Sequence, residues 1–253
     1  MGQWLCRFFH SQGHKVTVYD PRGAPDGFPR AEELSDAVDT AETVVLSTPL
    51  QRSGELLQQV LEEKPTGLVF DICSLKSPVE SAIRAGIRSG LRVTSIHPMF
   101  GPDTALLMGR NILFCECGST EATAEAREFF EGTTATLTTL PLGAHDALMA
   151  YVLGLSHAVN IAWFTVLARS GYGVEELERA ASTTFFKQAA TSRDVARENA
   201  ELYFEIQERN LYTPRVLKEL ASAIEALQAA TAPEGKASFL KLMEDGKRYF
   251  GGG

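Results

Sequence analysis

Within residues 1–141, short β-branched runs alternate with stretches of helical periodicity, and this alternation restricts the fold more than any other feature of the chain. The runs at 15–19, 43–47, 67–71, 92–96 and 111–115 read as strands, and a Thr-rich run to Leu140 closes the series. Asp20-Pro21 and Thr48-Pro49 stop two of them. Apolar residues at helical spacing predict helices over 2–12, from about Ala31, and over 54–63, 77–90 and 120–131, with Gly13 placed as a helix C-terminal glycine. Short apolar strands separated by amphipathic helices describe a parallel sheet covered on both faces. This half is therefore expected to be a doubly wound α/β domain. From Leu142 onward only helical spacing remains, predicting helices over 145–170, 174–191, 194–210, 213–231 and 235–249. The first of these is apolar nearly all round, which predicts burial, and such a helix often forms a subunit interface. The tail Gly251-Gly252-Gly253 is expected to fray.

The chain has 253 residues, with 24 Lys and Arg against 32 Asp and Glu, a net charge of −8. That balance disfavours a nucleic-acid surface, which needs clustered cations to neutralise phosphates, and directs attention to a small-molecule partner. The longest apolar stretches, such as 158–168, stop short of the roughly 20 residues that cross a bilayer, so no membrane span is expected. The 4 cysteines form no CxxC pair and the 5 histidines no HExxH spacing. Neither a disulfide framework nor a metal site is expected, and the compartment is read as reducing cytoplasm.

A dinucleotide-binding fold begins with a strand, then GxGxxG, then a helix whose N-terminus faces the pyrophosphate. Here Met1-Gly2 opens directly into a helix, and the run 15–19 behaves like the second strand, ending in an acid. Asp20 stands where a carboxylate would take the adenosine ribose hydroxyls, favouring NAD over a 2′-phosphorylated cofactor; a plain Asp-Pro turn is the alternative. Ser74 and Lys76 follow a strand, at the carboxyl end of the sheet where ligands collect, while Ser77-Pro78 fits an N-cap and first helical position. His97, in the segment His97-Pro98-Met99-Phe100-Gly101-Pro102, follows another strand. Proline holds the residue before it extended, and a neutral imidazole there can accept a proton near physiological pH. A loop histidine without a role is the alternative. His145 and His157 lie on the long helix, where a histidine among apolar residues is usually a hydrogen-bonded core residue. Arg193 and Arg197 share a helix face. With Asp194, Glu198 and Glu201 they also fit a solvated face of weak ion pairs.

Taken together and in this order, Met1-Gly2 opening a helix, Tyr19-Asp20-Pro21, Ser47-Thr48-Pro49, Asp71 to Lys76, the His97 to Gly101 segment, His145-Asp146, Leu155-Ser156-His157-Ala158 and Leu202-Tyr203 resemble the prephenate dehydrogenase family, which includes arogenate dehydrogenases. The resemblance implies a Rossmann-like NAD-binding domain over 1–141 and an all-helical substrate-binding and dimerisation domain over 142–253, assembled as a homodimer. It implies NAD-dependent oxidative decarboxylation of prephenate to 4-hydroxyphenylpyruvate in tyrosine biosynthesis, with arogenate as the alternative substrate. By match to the family's motifs, His97 would accept the proton of the ring hydroxyl, for which it must be neutral, and Ser74 would orient His97 and the nicotinamide. Arg193 would bind the ring carboxylate, His157 would line the substrate pocket, and His145 would stand at its edge. Gly2, Asp20, Ser47, Thr48 and Pro49 would contact the cofactor. Members carry a first strand and a GxGxMG motif, of which Met1-Gly2 is the remainder here, so an N-terminally incomplete module is expected. A silent remnant that dimerises through its helical half is the competing expectation. A dehydrogenase of small hydroxy acids is a third, but its helical-domain lysine has no equivalent here.

Overall fold

The computed structural model describes residues 1–251; Gly252 and Gly253, in the tail expected to fray, lie outside the described residues. The chain divides into two compact units, Met1–Leu148 and Met149–Gly253.

The first unit contains helices α1 (Gly2–Ser11), α2 (Leu34–Asp39), α3 (Ser53–Glu62), α4 (Ser77–Arg88) and α5 (Thr120–Glu128), and strands β1 (Thr43–Leu46), β2 (Leu68–Asp71), β3 (Val93–Pro98), β4 (Asn111–Glu116) and β5 (Thr136–Pro141). The sheet order is β1-β2-β3-β4-β5. β1, β2 and β3 run parallel, as do β4 and β5, but β4 runs antiparallel to β3. The sheet is thus mixed rather than wholly parallel. A parallel return needs a crossover, usually a helix, and residues 99–110 between β3 and β4 contain none. Internal strands β2 and β3 are buried at every position. Their residues Leu68, Phe70 and Ile96 pack with Phe114 of β4, Ala122 and Ala126 of α5, and Leu5 and Phe9 of α1.

Two strand expectations change. The run 15–19 alternates half-buried Val16 and Val18 with exposed neighbours, yet it joins no ladder and makes one isolated bridge, Val18 to Arg30. Alternation records which side faces the protein; a strand also needs a neighbour to pair with. His97 lies within β3 rather than after it, because the antiparallel partner extends pairing to His97↔Leu113 and Pro98↔Ile112. Gly13, with φ 90°, adopts the left-handed conformation expected past α1.

The long helix runs from α6 (Leu142–Met149) through a π-helical segment, Ala150–Leu155, into α7 (Ser156–Ala168). The remaining helices are α8 (Val174–Arg179), α9 (Thr183–Arg197), α10 (Ala200–Arg209), α11 (Thr213–Ala230) and α12 (Lys236–Tyr249). The expected helices over 174–191 and 194–210 are divided differently. Ser182 caps α9 through Phe185 N–H, and Asn199 caps α10 through Glu201 and Leu202 N–H. α7 is also not the buried rod expected: its buried residues are the polar His157 and Asn160, while Val166 is 67% exposed. The rest of the unit leaves this apolar surface uncovered. By length and composition alone Leu142–Ala168 could cross a membrane, although the run carries Asp146. Of its buried polar side chains, Asn160 is hydrogen-bonded within the protein and His157 stacks on Tyr203. Asn160 Oδ1 accepts hydrogen bonds from Gln188 (2.9 Å) and Ser192 (2.7 Å).

Candidate functional site

The carboxyl ends of β2 and β3 bring Asp71 and His97 to one side of the sheet, and the turn after β2 carries Ser74 and Lys76. Lys76 is the first surprise. Placed by its sequence at the carboxyl end of the sheet where ligands collect, this lysine is fully enclosed, at 1% exposure. Its ammonium uses all three hydrogens: Asp71 Oδ1 at 3.1 Å, the Cys73 carbonyl at 2.7 Å and the Ile96 carbonyl at 2.7 Å. Burial opposes its charge, but the Asp71 carboxylate outweighs burial and holds its pKa above the ordinary value. The thiols around it stay protonated, Cys73 pushed up to about 12 and Cys115 to about 11, in both cases first by burial.

His97 is connected to a second chain of polar groups. Its Nδ1 lies 3.0 Å from His145 Nε2, and His145 Nδ1 lies 2.7 Å from Asp146 Oδ1. The two Asp146 oxygens also accept the backbone N–H groups of Lys76 and Ser77, each at 2.8 Å. These are free donors of the first turn of α4, so Asp146 caps that helix from a position 70 residues away. Ser77, expected as the N-cap, is instead the first helical residue, and no local side chain caps α4. Burial would raise the Asp146 carboxyl, but hydrogen bonds from His145, Lys76 and Ser77 outweigh it and the net shift is downward. Burial, then the Lys76 charge, then His145 hold His97 well below the ordinary histidine pKa. His145 is lowered too, by burial first, with Asp146 opposing.

His145 is fully enclosed, with both ring nitrogens in hydrogen-bond contact within the protein. Ser74 is half-buried in the adjoining turn, and among the described residues the His97 ring is hydrogen-bonded to His145 and not to Ser74. Sequence reasoning picked out Lys76 and the His145-Asp146 pair but not the partners that Lys76 and Asp146 take.

The elements expected to meet a nucleotide lie as follows. Gly2 begins α1, whose N-cap Met1 makes no side-chain capping bond. A Cβ on Gly2 would lie 3.3 Å from Ser47 Oγ, so the helix start comes close to the turn after β1 and a side chain there would press on Ser47. In that turn Thr48 Oγ1 is 3.0 Å from Ser53 Oγ, which donates to the Pro49 carbonyl. Asp20 accepts the Arg22 N–H at 2.8 Å in a turn closed by Gly23 N–H on the Asp20 carbonyl, and its side chain remains partly exposed. The turn and an acid available to a ligand therefore coexist. A depression of about 560 Å³ opens at the other ends of the strands, lined by His14, Glu42, Arg92, Glu125 and Phe129, away from His97.

In the helical unit, His157 stacks on Tyr203 with ring centroids 3.9 Å apart and planes 9° from parallel. Its Nδ1 is enclosed without a hydrogen-bond partner, and burial pushes the imidazole down to about 4. Arg193 is exposed and pairs with Glu178 of α8 rather than with a neighbour on its own helix. Arg197, four residues on, is exposed at the C-terminal end of α9.

Two family profiles match the chain. One is described as "Prephenate dehydrogenase, nucleotide-binding domain" and covers residues 26–139; the other, "Prephenate dehydrogenase, dimerization domain", covers 143–245. The chain is 22% identical over 263 residues to a protein of Methanocaldococcus jannaschii named "Probable arogenate/prephenate dehydrogenase", covering 99% of this chain and 59% of the relative. It is 24% identical over 256 residues to the T-protein of Enterobacter agglomerans, covering 99% and 65%. The chain thus spans less than two thirds of the length of either relative. Among solved structures, prephenate dehydrogenase from A. aeolicus in complex with hydroxyphenyl propionate and NAD+ aligns with a TM-score of 0.77 at 15% identity, covering 98% of this chain and 93% of that one. Synechocystis arogenate dehydrogenase aligns at 0.65 and 20% identity, covering 98% and 96%.

Proposed function

The chain belongs to the prephenate dehydrogenase family, and on that premise we propose that it catalyses the NAD-dependent oxidative decarboxylation of prephenate to 4-hydroxyphenylpyruvate, a step of tyrosine biosynthesis. The observation that carries this reading is His97, a histidine at the carboxyl end of a central strand that is tied at Nδ1 and kept neutral by its surroundings.

The residues present fit the cofactor. The uncapped start of α1 at Gly2 offers backbone N–H groups to a pyrophosphate, the Ser47-Thr48-Pro49 turn lies beside it, and Asp20 offers acceptors to ribose hydroxyls. NAD, when bound, supplies the hydride acceptor. His97 Nε2 takes the proton of the ring hydroxyl as hydride leaves the carbon that bears it. A weak base suffices, because loss of hydride makes that hydroxyl strongly acidic. As the ring carboxylate leaves as CO2 the ring becomes aromatic, and His97 returns the proton to what is now a phenol oxygen. The proton is lent and no net base is consumed. Ser74, in the turn beside Lys76, orients the reacting groups. Arg193 holds the ring carboxylate with a planar pair of donors, exchanging its contact with Glu178, and His157 lines the substrate pocket on the Tyr203 ring.

The uncovered apolar surface of α7 and the dimerization profile over 143–245 support a homodimer formed through the helical unit. Four free thiols, three of them buried, support a reducing cytoplasmic setting. The test offers the protein NAD with prephenate, then with arogenate, and follows NADH absorbance. Turnover of prephenate with release of 4-hydroxyphenylpyruvate is the expected result. Turnover of arogenate alone would reassign the substrate, and binding without turnover of either would favour a silent remnant.

A further inference from the structure

Asp146 uses both carboxylate oxygens as acceptors for backbone N–H groups, at 2.8 Å each, and accepts His145 at 2.7 Å as well. A carboxylate surrounded by donors has no place for a proton of its own, so the hydrogen in the third contact sits on His145 Nδ1. Neutral imidazole carries only one N–H. His145 Nε2 is therefore a lone pair, and the 3.0 Å contact to His97 can form only if His97 Nδ1 carries the hydrogen. Neutral His97 then presents a lone pair at Nε2, which has no hydrogen-bond partner among the described residues and is not one of the enclosed, unsatisfied atoms.

We infer that Asp146 and His145 are positioning residues that fix His97 as its Nδ1–H tautomer, so that Nε2 is the atom offered to the substrate's hydroxyl. This rests on His97 being the acceptor proposed above. The same arrangement serves the reaction. When Nε2 takes up a proton, the imidazolium still donates from Nδ1 to His145, and the carboxylate beyond stabilises the added charge without itself being protonated. The arrangement also has a wrong setting. A protonated His145 would donate from both nitrogens, turn His97 around and place its hydrogen on Nε2, where a donor meets a donor. The charged groups around the pair act in opposite senses. Lys76 disfavours protonation of His145, whereas Asp146 and Asp71 favour it, and burial disfavours it most.

The experiment is nitrogen-15 NMR of the histidine rings in the full chain without substrate, with signals assigned through single-histidine variants. At pH 7.5 both His97 and His145 are expected as Nδ1–H tautomers. In His145→Phe, His97 should shift toward Nε2–H and kcat should fall about 10²-fold or more, with KM moving far less. His145→Gln, whose amide oxygen can accept from His97 Nδ1–H, should recover part of that loss. Finding His97 as the Nε2–H tautomer in the unsubstituted protein would overturn the proposal, and this measurement needs no variant to fold. Undiminished kcat in a folded His145→Phe would overturn it too. If the tautomers are as expected but neither prephenate nor arogenate is oxidised, the proposed function fails and the positioning relationship stands.

Discussion

Lys76 Nζ lies 3.1 Å from Asp71 Oδ1 with both side chains enclosed, and the rest of the ammonium is spent on two backbone carbonyls. Removing one partner strands the other. Lys76→Met should cost about 3–5 kcal/mol, the usual consequence of an uncompensated buried charge, whereas Lys76→Met with Asp71→Leu should recover much of it. Urea unfolding of the two variants measures both. A single variant no less stable than the double one would mean that water reaches Asp71.

The pH profile of His97 follows from the same ammonium. Its pKa is depressed by burial, then by Lys76, so the neutral, active form persists as pH falls below 6.5. The kcat/KM profile should stay level from pH 8 past 6.5 and bend down only in more acidic solution. His97→Asn should keep the fold while lowering turnover by about 10²–10⁴. An acid limb centred at or above 6.5, or near-normal turnover in the variant, would contradict the role given to it.

α3 and α4 meet where Gly54 faces Pro78. A Cβ at Gly54 would lie 2.2 Å from the Pro78 carbonyl oxygen, an atom of the backbone that cannot swing aside. Gly54→Ala should therefore destabilise by about 1–3 kcal/mol through overpacking, and should also lower kcat because the displaced turn of α4 carries the Lys76 and Ser77 N–H groups. Thermal melting and steady-state kinetics test both halves.

His157 predicts an acid sensitivity in the helical unit. Folded, its pKa is about 4; unfolded, it returns to 6.5, so between those values the unfolded chain binds the extra proton and stability falls as pH drops. His157→Phe keeps a ring against Tyr203 and removes the titration. Its Tm should decline less between pH 7 and 4.5 than that of the unsubstituted protein. Equal declines would place the acid-labile group elsewhere.

How far these features were legible depends on their range. β2 and β3 announce themselves as apolar runs because they are buried on both faces, and His97 is marked by its place after such a run and before proline. The direction of β4 is not legible, since it is decided by a connection with no helix in it. The run 15–19 shows that period-two burial can arise in a segment that pairs with almost nothing. The role of Asp146 escapes because its partners are backbone groups of a distant turn, and Lys76 because nothing local says that a lysine's three hydrogens all find acceptors inside. Arg193 was legible as a charged surface residue, but its partner Glu178 belongs to a helix that the expected boundaries merged with its own.

Capping a helix from 70 residues downstream sets an order of events during synthesis. By the time Pro141 leaves the ribosome, every strand of the sheet has been made, yet the first turn of α4 still lacks the carboxylate that completes it. Nascent chains arrested at that length should pair their strands while the turn bearing Ser74 and Lys76 still samples several shapes. A few residues more deliver His145 and Asp146 in one step, so that the base and the loop beside it become ordered together, late, and only in a chain that has already committed to its sheet.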